Sequence, residues 1–220
     1  ITSIIGLFTK GMYEAVQVVK EFDKAQTDYL KVSDLSGEAL DDYTKKLGDL
    51  GTSVARTTTE MIQASAEFKK SGYTDEQSAQ LAKVASMFQN VADSELSASD
   101  SASFIISQMK AFNITAEDSI SIVDSVNEVS NTFAVSSTDI SAGLTKASAS
   151  MATYGNTSSQ TIGLISAGTE IMTGQASKIS RGLISVGANI IKLANSAGEL
   201  TYNVGGITKS ISLFIPLDLV

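Results

Sequence analysis

The residue types able to do chemistry in this 220-residue chain are few, and histidine is not among them. Without an imidazole, general-base catalysis at neutral pH would fall to a shifted carboxylate or lysine, and every imidazole-dependent serine triad is ruled out. Cysteine is also absent, which removes disulfides and thiolate metal ligation. Asp41 and Asp42 are adjacent, and helical neighbours diverge by about 100°, so they do not converge as a glycosidase pair does. Asp93 and Glu95 are a thin ligand set for a cation and read better as a solvated loop. Gly205-Gly206 matches neither a Rossmann fingerprint nor a P-loop. Asn113-Ile114-Thr115 and Asn156-Thr157-Ser158 fit the glycosylation sequon, but with no secretory signal visible they read as turn-and-cap residues. Met61, Met87, Met109, Met151 and Met172 fall mostly on helical stripes, where core filling is the default. No catalytic, cofactor-binding or metal-binding residue is assigned, and the reading is of a non-enzyme without a cofactor.

The elements must then be what the chain is for. Hydrophobic residues make up 43%, enough for a core, and the single proline, Pro216, stands almost at the end. Long helices are therefore permitted from Ile1 to about Ser210. Tryptophan is absent and aromatics are 6%, so the core must come from Ala, Ile, Val, Leu and Met. Ala and Ser on the apolar faces allow close helix approach. The net charge of −8 argues against a surface dedicated to nucleic acid. No signal peptide is visible, and Ile4–Phe8 is too short an apolar run to cross a bilayer. The chain is expected to begin inside a longer protein.

The spacing predicts an all-α fold. Ile5, Phe8, Met12, Ala15, Val19, Phe22, Gln26 and Tyr29 alternate steps of three and four, which predicts one helix over most of 3–32. Its seam suits neighbouring helices or another copy of itself. After Ser33–Gly37, a helix over 38–51 carries Leu40, Tyr43, Leu47 and Leu50, with Gly48 and Gly51 ending it. Helical hairpins follow, organised around 101–130. There Ala102, Ile105, Met109 and Phe112 form one stripe, Ile122, Val126, Val129 and Phe133 the next, and Thr115 is placed to cap the second helix. Thr74-Asp75-Glu76-Gln77, Thr115-Ala116-Glu117-Asp118 and Thr157-Ser158-Ser159-Gln160 share a pattern at spacings of 41 and 42 residues. Such a period points to antiparallel helical hairpins packed as a bundle or short solenoid. Met61, Ala64 and Phe68 face inward on one helix, Leu81, Val84, Phe88 and Val91 on another. Ile140, Leu144, Ala147, Met151 and Tyr154 precede Ile162, Ile165, Thr169 and Met172. A last helix, 177–197, is read with Ile179, Leu183, Val186, Ile190 and Leu193 buried. The expected divisions are 1–51 for a long N-terminal helix plus a short second one, 52–197 for the hairpin core, and 198–220 for a small β-hairpin or mobile tail.

The succession Glu21-Phe22-Asp23-Lys24-Ala25, Lys45-Lys46-Leu47-Gly48, Ala64-Ser65-Ala66-Glu67-Phe68-Lys69-Lys70-Ser71-Gly72-Tyr73-Thr74-Asp75-Glu76 and Ala152-Thr153-Tyr154-Gly155 resembles the core region of phage tail tape measure proteins. The likeness covers roughly 20–197. It departs at Gln175-Ala176-Ser177-Lys178-Ile179-Ser180-Arg181, where that family often has a Gly-Thr-Ala-Leu-Arg-like run. The resemblance implies a structural module of a phage, prophage or tailocin tail that fills the tube, sets its length and assists genome delivery. It implies tail tube, tail tip or baseplate proteins and assembly chaperones as partners, homo-oligomers in the tail, contact with the host membrane and no specific nucleic-acid binding. The expected location is the virion tail, with assembly in the host cytoplasm. Two other readings compete: a helical-repeat adaptor holding a protein partner in a groove, and a membrane-active segment aiding DNA entry.

Overall fold

The computed structural model describes the backbone of residues 2–197, 200–204 and 207–211, and the side chains of residues 13–193. Nine helices are present among the described residues: α1 (Thr2–Leu30), α2 (Glu38–Ser53), α3 (Thr58–Lys70), α4 (Asp75–Val91), α5 (Ala98–Phe112), α6 (Ile120–Thr132), α7 (Ser137–Thr153), α8 (Ser158–Ile171) and α9 (Ala176–Ala197). Two short strands, β1 (Leu200–Val204) and β2 (Ile207–Ile211), pair antiparallel with Leu200 opposite Ile211 and Val204 opposite Ile207. The turn expected at Gly205-Gly206, Pro216, and the side chains of Ile5, Phe8 and Met12 lie outside the described residues.

One connector recurs between helices. Each copy has a residue at positive φ, one spacer, and a Thr: Ala55-Arg56-Thr57, Gly72-Tyr73-Thr74, Asn113-Ile114-Thr115 and Gly155-Asn156-Thr157. The spacer's N–H reaches back to the carbonyl five residues earlier, at 2.9 Å for Arg56 to Gly51, 3.3 Å for Tyr73 to Phe68, 3.0 Å for Ile114 to Met109 and 3.0 Å for Asn156 to Met151. This closes the preceding helix by satisfying a carbonyl that has no helical donor. The Thr hydroxyl then accepts the N–H three residues on, at 3.2 Å in all four copies. At Thr57, Thr74 and Thr157 the return bond from Glu60, Gln77 or Gln160 completes a capping box. At Ala55–Thr57, Gly72–Thr74 and Gly155–Thr157, three residues thus end one helix and start the next. Ser97 and Ser136 cap other helix starts, accepting from the backbone of Asp100 and Asp139 at 3.0 Å each.

Two boundaries depart from the sequence reading. First, α2 does not stop at Gly48 or Gly51 but runs to Ser53, and the left-handed turn falls on Ala55. Gly51 serves close approach instead: a Cβ there would stand 2.7 Å from the Arg56 carbonyl oxygen and 2.9 Å from Met61 Cγ. Second, Thr115 does not open α6 directly. Residues 116–119 form a turn, with Ser119 N–H bonded to the Ala116 carbonyl and Ser121 N–H to that of Asp118, and α6 begins at Ile120. Ser119 and Ser121 also donate their hydroxyls to those same two carbonyls, at 2.7 and 2.6 Å. Such local bonding competes with the helical ladder and delays its start.

The chain divides into two compact units, and the division passes through α5 and α6. Unit 1 comprises Ile1–Ile106 and Thr115–Val123. In it α3 packs on α1, α2 and α4. Met61, Ile62, Ala64, Phe68, Leu81 and Phe88 are buried, and the Phe88 and Phe104 rings lie 4.6 Å apart. Unit 2 comprises Ser107–Ile114 and Asp124–Val220, and there α7 packs on both α8 and α9. Small residues set its spacing. A Cβ on Gly143 would stand 2.6 Å from Ile165 Cγ2, and one on Gly187 2.3 Å from the Tyr154 ring. Ser180, fully buried, donates to the Gly143 carbonyl at 2.9 Å.

That close fit corrects the expected face of α9. The helix turns Ser180 against Gly143 of α7 and Gly187 against Tyr154, Ile179 packs on Gly168 of α8 and with Leu183 is half-buried, and the larger Val186, Ile190 and Leu193 stand 57%, 38% and 52% exposed. Steric fit, rather than hydrophobicity, leaves the C-terminal part of the expected stripe outside. Three further positions expected inside lie at the surface: Met172, which caps the C-terminus of α8; Phe133, just past the end of α6; and Val19 on the α1 seam. Ala15 is exposed as well.

Candidate functional site

A polar cluster in unit 1 surrounds Asp75, the first residue of α4. Capping by Thr74 fixes its backbone, and the end of α3 brings Lys69 to it. Lys69 Nζ donates to one carboxylate oxygen at 2.8 Å; Ser33 Oγ, at 2.8 Å, and the Tyr29 hydroxyl donate to the other. Tyr43 stacks on Tyr29 with centroids 5.1 Å apart, shares a 2.5 Å hydrogen bond with Ser65 and donates to the Asp75 carbonyl at 3.0 Å. One acidic residue therefore joins groups from α1, α2, α3 and the loop after α1.

The electrostatics fit a fixed anion rather than a proton shuttle. Burial pushes the Asp75 carboxyl up, but the hydrogen bonds from Lys69, Tyr29 and Ser33 outweigh it and hold the group below the usual carboxylate range. Burial, reinforced by the bond to Asp75, drives the Tyr29 hydroxyl far above its ordinary value, and burial raises Tyr43 too. A carboxylate that stays ionised with both oxygens occupied, beside tyrosines that stay protonated, can hold helices together. It offers neither a nucleophile nor a base poised near neutrality.

The positions weighed from sequence are scattered. Asp41 and Asp42 are both exposed on α2, and Asp93 and Glu95 are exposed after α4. Among the described residues no group of three or more acidic side chains is arranged to hold a metal ion. Asn113 is the left-handed residue of its connector, and Asn156 donates its side-chain amide to the Met151 carbonyl at 3.2 Å, so both act in turns. Met61, Met109 and Met151 are buried as expected, and Met172 is not. Gly205-Gly206 lies outside the described residues.

Sequence reasoning missed the Asp75 cluster. Its hydroxyl donors lie 46 and 42 residues away, and the signal available was only that a buried tyrosine needs an acceptor. Unit 1 also has an open groove of about 490 Å³ lined by Val18, Val19 and Phe22 of α1, Gly48 and Thr52 of α2, and Arg56–Thr59. Arg56 is engaged there by Glu60 and Asn90. The groove is mostly apolar and holds no convergent set of reactive groups.

A family model described as phage-related minor tail protein matches residues 44–210, about three quarters of the chain. The match takes in α3 to α9 and leaves out α1, whose Tyr29 reaches into it through Asp75. No solved structure matches the chain.

Proposed function

The chain belongs to the phage-related minor tail protein family, and from that premise we propose that it is a module of a tail tape measure protein. Membership gives a structural role in the phage tail and a place in the virion tail among other tail components. The finer reading is that residues 52–197 form a hairpin array that occupies the tail lumen, helps set tail length and leaves with the genome. It meets tail tube and tail tip or baseplate proteins and assembly chaperones, and it catalyses nothing.

The observation that carries this reading is the recurrent capping. First helices start at Thr57, Ser97 and Ser136, and second-helix caps or turns at Thr74, Thr115 and Thr157. The intervals run from 39 to 42 residues, which supports a repeat of about 41. Repeats that change helix direction with three-residue connectors suit a protein whose property of interest is how much length it spans. Among the described residues, no helix is long and apolar enough to cross a membrane.

The test is genetic. Deleting one hairpin of about 41 residues in frame from the phage that encodes the chain should shorten the tail by no more than the length of one of its helices, about 25 Å at about 1.5 Å per helical residue. Duplication should lengthen it equally, as measured by electron microscopy of negatively stained particles. Tails of unchanged length in both strains would overturn the tape measure reading and leave the family assignment in place.

A further inference from the structure

We propose that α1 is a releasable strap, which lifts from unit 1 as one piece about the 33–37 connector while α2, α3 and α4 stay packed. Its hold is narrow. From Tyr13 to Leu30 only Ala25 and Tyr29 are buried, whereas the shorter α3 buries six of its residues. Open space lies along α1 in two places. The groove of about 490 Å³ separates Val18, Val19 and Phe22 from α2 and the start of α3. A second, of about 210 Å³, lies between Lys24 and Asp28 of α1 and Glu67 and Lys70 of α3. The charges there do not bridge the gap: Lys24 pairs with Asp28 at 3.6 Å and Lys70 with Glu67 at 2.8 Å, each on its own helix. An element with so few buried apolar contacts opens at a lower free energy than the core it rests on.

The latch is polar and sits beside the hinge. The Tyr29 hydroxyl and Ser33 Oγ, the latter at 2.8 Å, donate to the same Asp75 oxygen, and the Tyr29 ring stacks on Tyr43. Residues 33–37 form neither helix nor strand, and they end at Gly37 with φ 54°, where an added Cβ would meet nothing within 4 Å. A few such positions suffice to absorb a change of chain direction. What the strap leaves behind remains satisfied. Without Tyr29, Asp75 keeps Lys69 at 2.8 Å, and Tyr43 keeps Ser65 at 2.5 Å and the Asp75 carbonyl at 3.0 Å. Opening therefore strands neither buried polar group, and the largest penalty for exposing such a face is avoided. The strap goes beyond the tape measure reading and does not depend on it.

The chain has no cysteine, so a single introduced thiol reports on a single site. Ala25→Cys places one on the buried face of α1, and Ala82→Cys one on the buried face of α4. Each labelling rate is taken relative to that of the same protein in denaturing urea. Under native conditions Ala25→Cys should react at least about tenfold faster than Ala82→Cys. Tyr29→Phe removes one donor to a carboxylate and should speed labelling at Ala25→Cys about tenfold. Thr57→Ala weakens the start of α3, so it should speed labelling at Ala82→Cys about fivefold and leave Ala25→Cys unchanged. Equal relative rates at the two sites, no effect of Tyr29→Phe at Ala25→Cys, or an equal effect of Thr57→Ala at both would each overturn the strap. Should a cysteine variant lose helical circular dichroism, hydrogen exchange of the unaltered chain takes its place. Amides between Gln17 and Tyr29 that exchange about tenfold faster than those of α3 would support the strap, and exchange as slow as that of α3 would overturn it. All of these failures leave the tail-length test untouched.

Discussion

At Asp75 one carboxylate accepts hydrogen bonds from Tyr29, Ser33 and Lys69. Its folded-state pKa lies below the ordinary value, so it contributes stability at pH values above the unfolded carboxylate pKa of about 3.9. That contribution is lost as pH falls through the lowered folded value. Asp75→Asn should cost about 2–3 kcal/mol at neutral pH, read from the urea midpoint. It should also flatten the stability curve below about pH 4 relative to the parent chain. With no histidine present, neither protein has a side chain that ordinarily titrates between pH 5 and 8. Ala55 gives a prediction of opposite sign. It sits at φ 55°, a conformation that costs an L-residue with a Cβ, so Ala55→Gly should stabilise the chain by about 1 kcal/mol. An unchanged or lower urea midpoint would show that the turn carries no such strain.

Helix by helix, the chain is written in caps. Thr74 and Thr157 each close a capping box, and replacing either with Ala should cost about 1 kcal/mol. The two belong to different units and share no partner, so the double variant should lose the sum to within about 0.5 kcal/mol. Thr115→Ala should cost less, because that hydroxyl caps a turn rather than a full helix. Chemical denaturation of the four variants and the parent chain measures all three statements. These local signals are also the legible ones. The Thr caps, the left-handed Gly72 and Gly155, and the stripes of α3, α5 and α7 all stand in the sequence at helical spacing. What could not be read was the choice between two usable faces. On α9 the apolar stripe is the larger, yet Ser180 and Gly187 permit an approach that Val186 and Ile190 would block, and only the partner helix reveals that. The end of α2 misled for a related reason: glycine signals both termination and close packing, and at Gly51 it means the second.

Taken as a molecule, the chain keeps its ionic imbalance in one compact unit and uses small-residue packing in both. Neither property needs a reactive group, which agrees with a tail component that works by shape and association. The Asp75 cluster was hidden from sequence because it is non-local, and the exposed stripes because amphipathic periodicity does not say whether a face finds its partner within the chain. The buried tyrosine pair has a practical consequence for following the protein. Tyrosine emission is weak when the phenol is hydrogen-bonded to a carboxylate, as Tyr29 is to Asp75, and there is no tryptophan to mask it. Unfolding should therefore brighten the chain's tyrosine emission, as the denatured phenol loses that fixed carboxylate partner. The quenched Tyr29 would let the folding of unit 1 be followed with no dye attached.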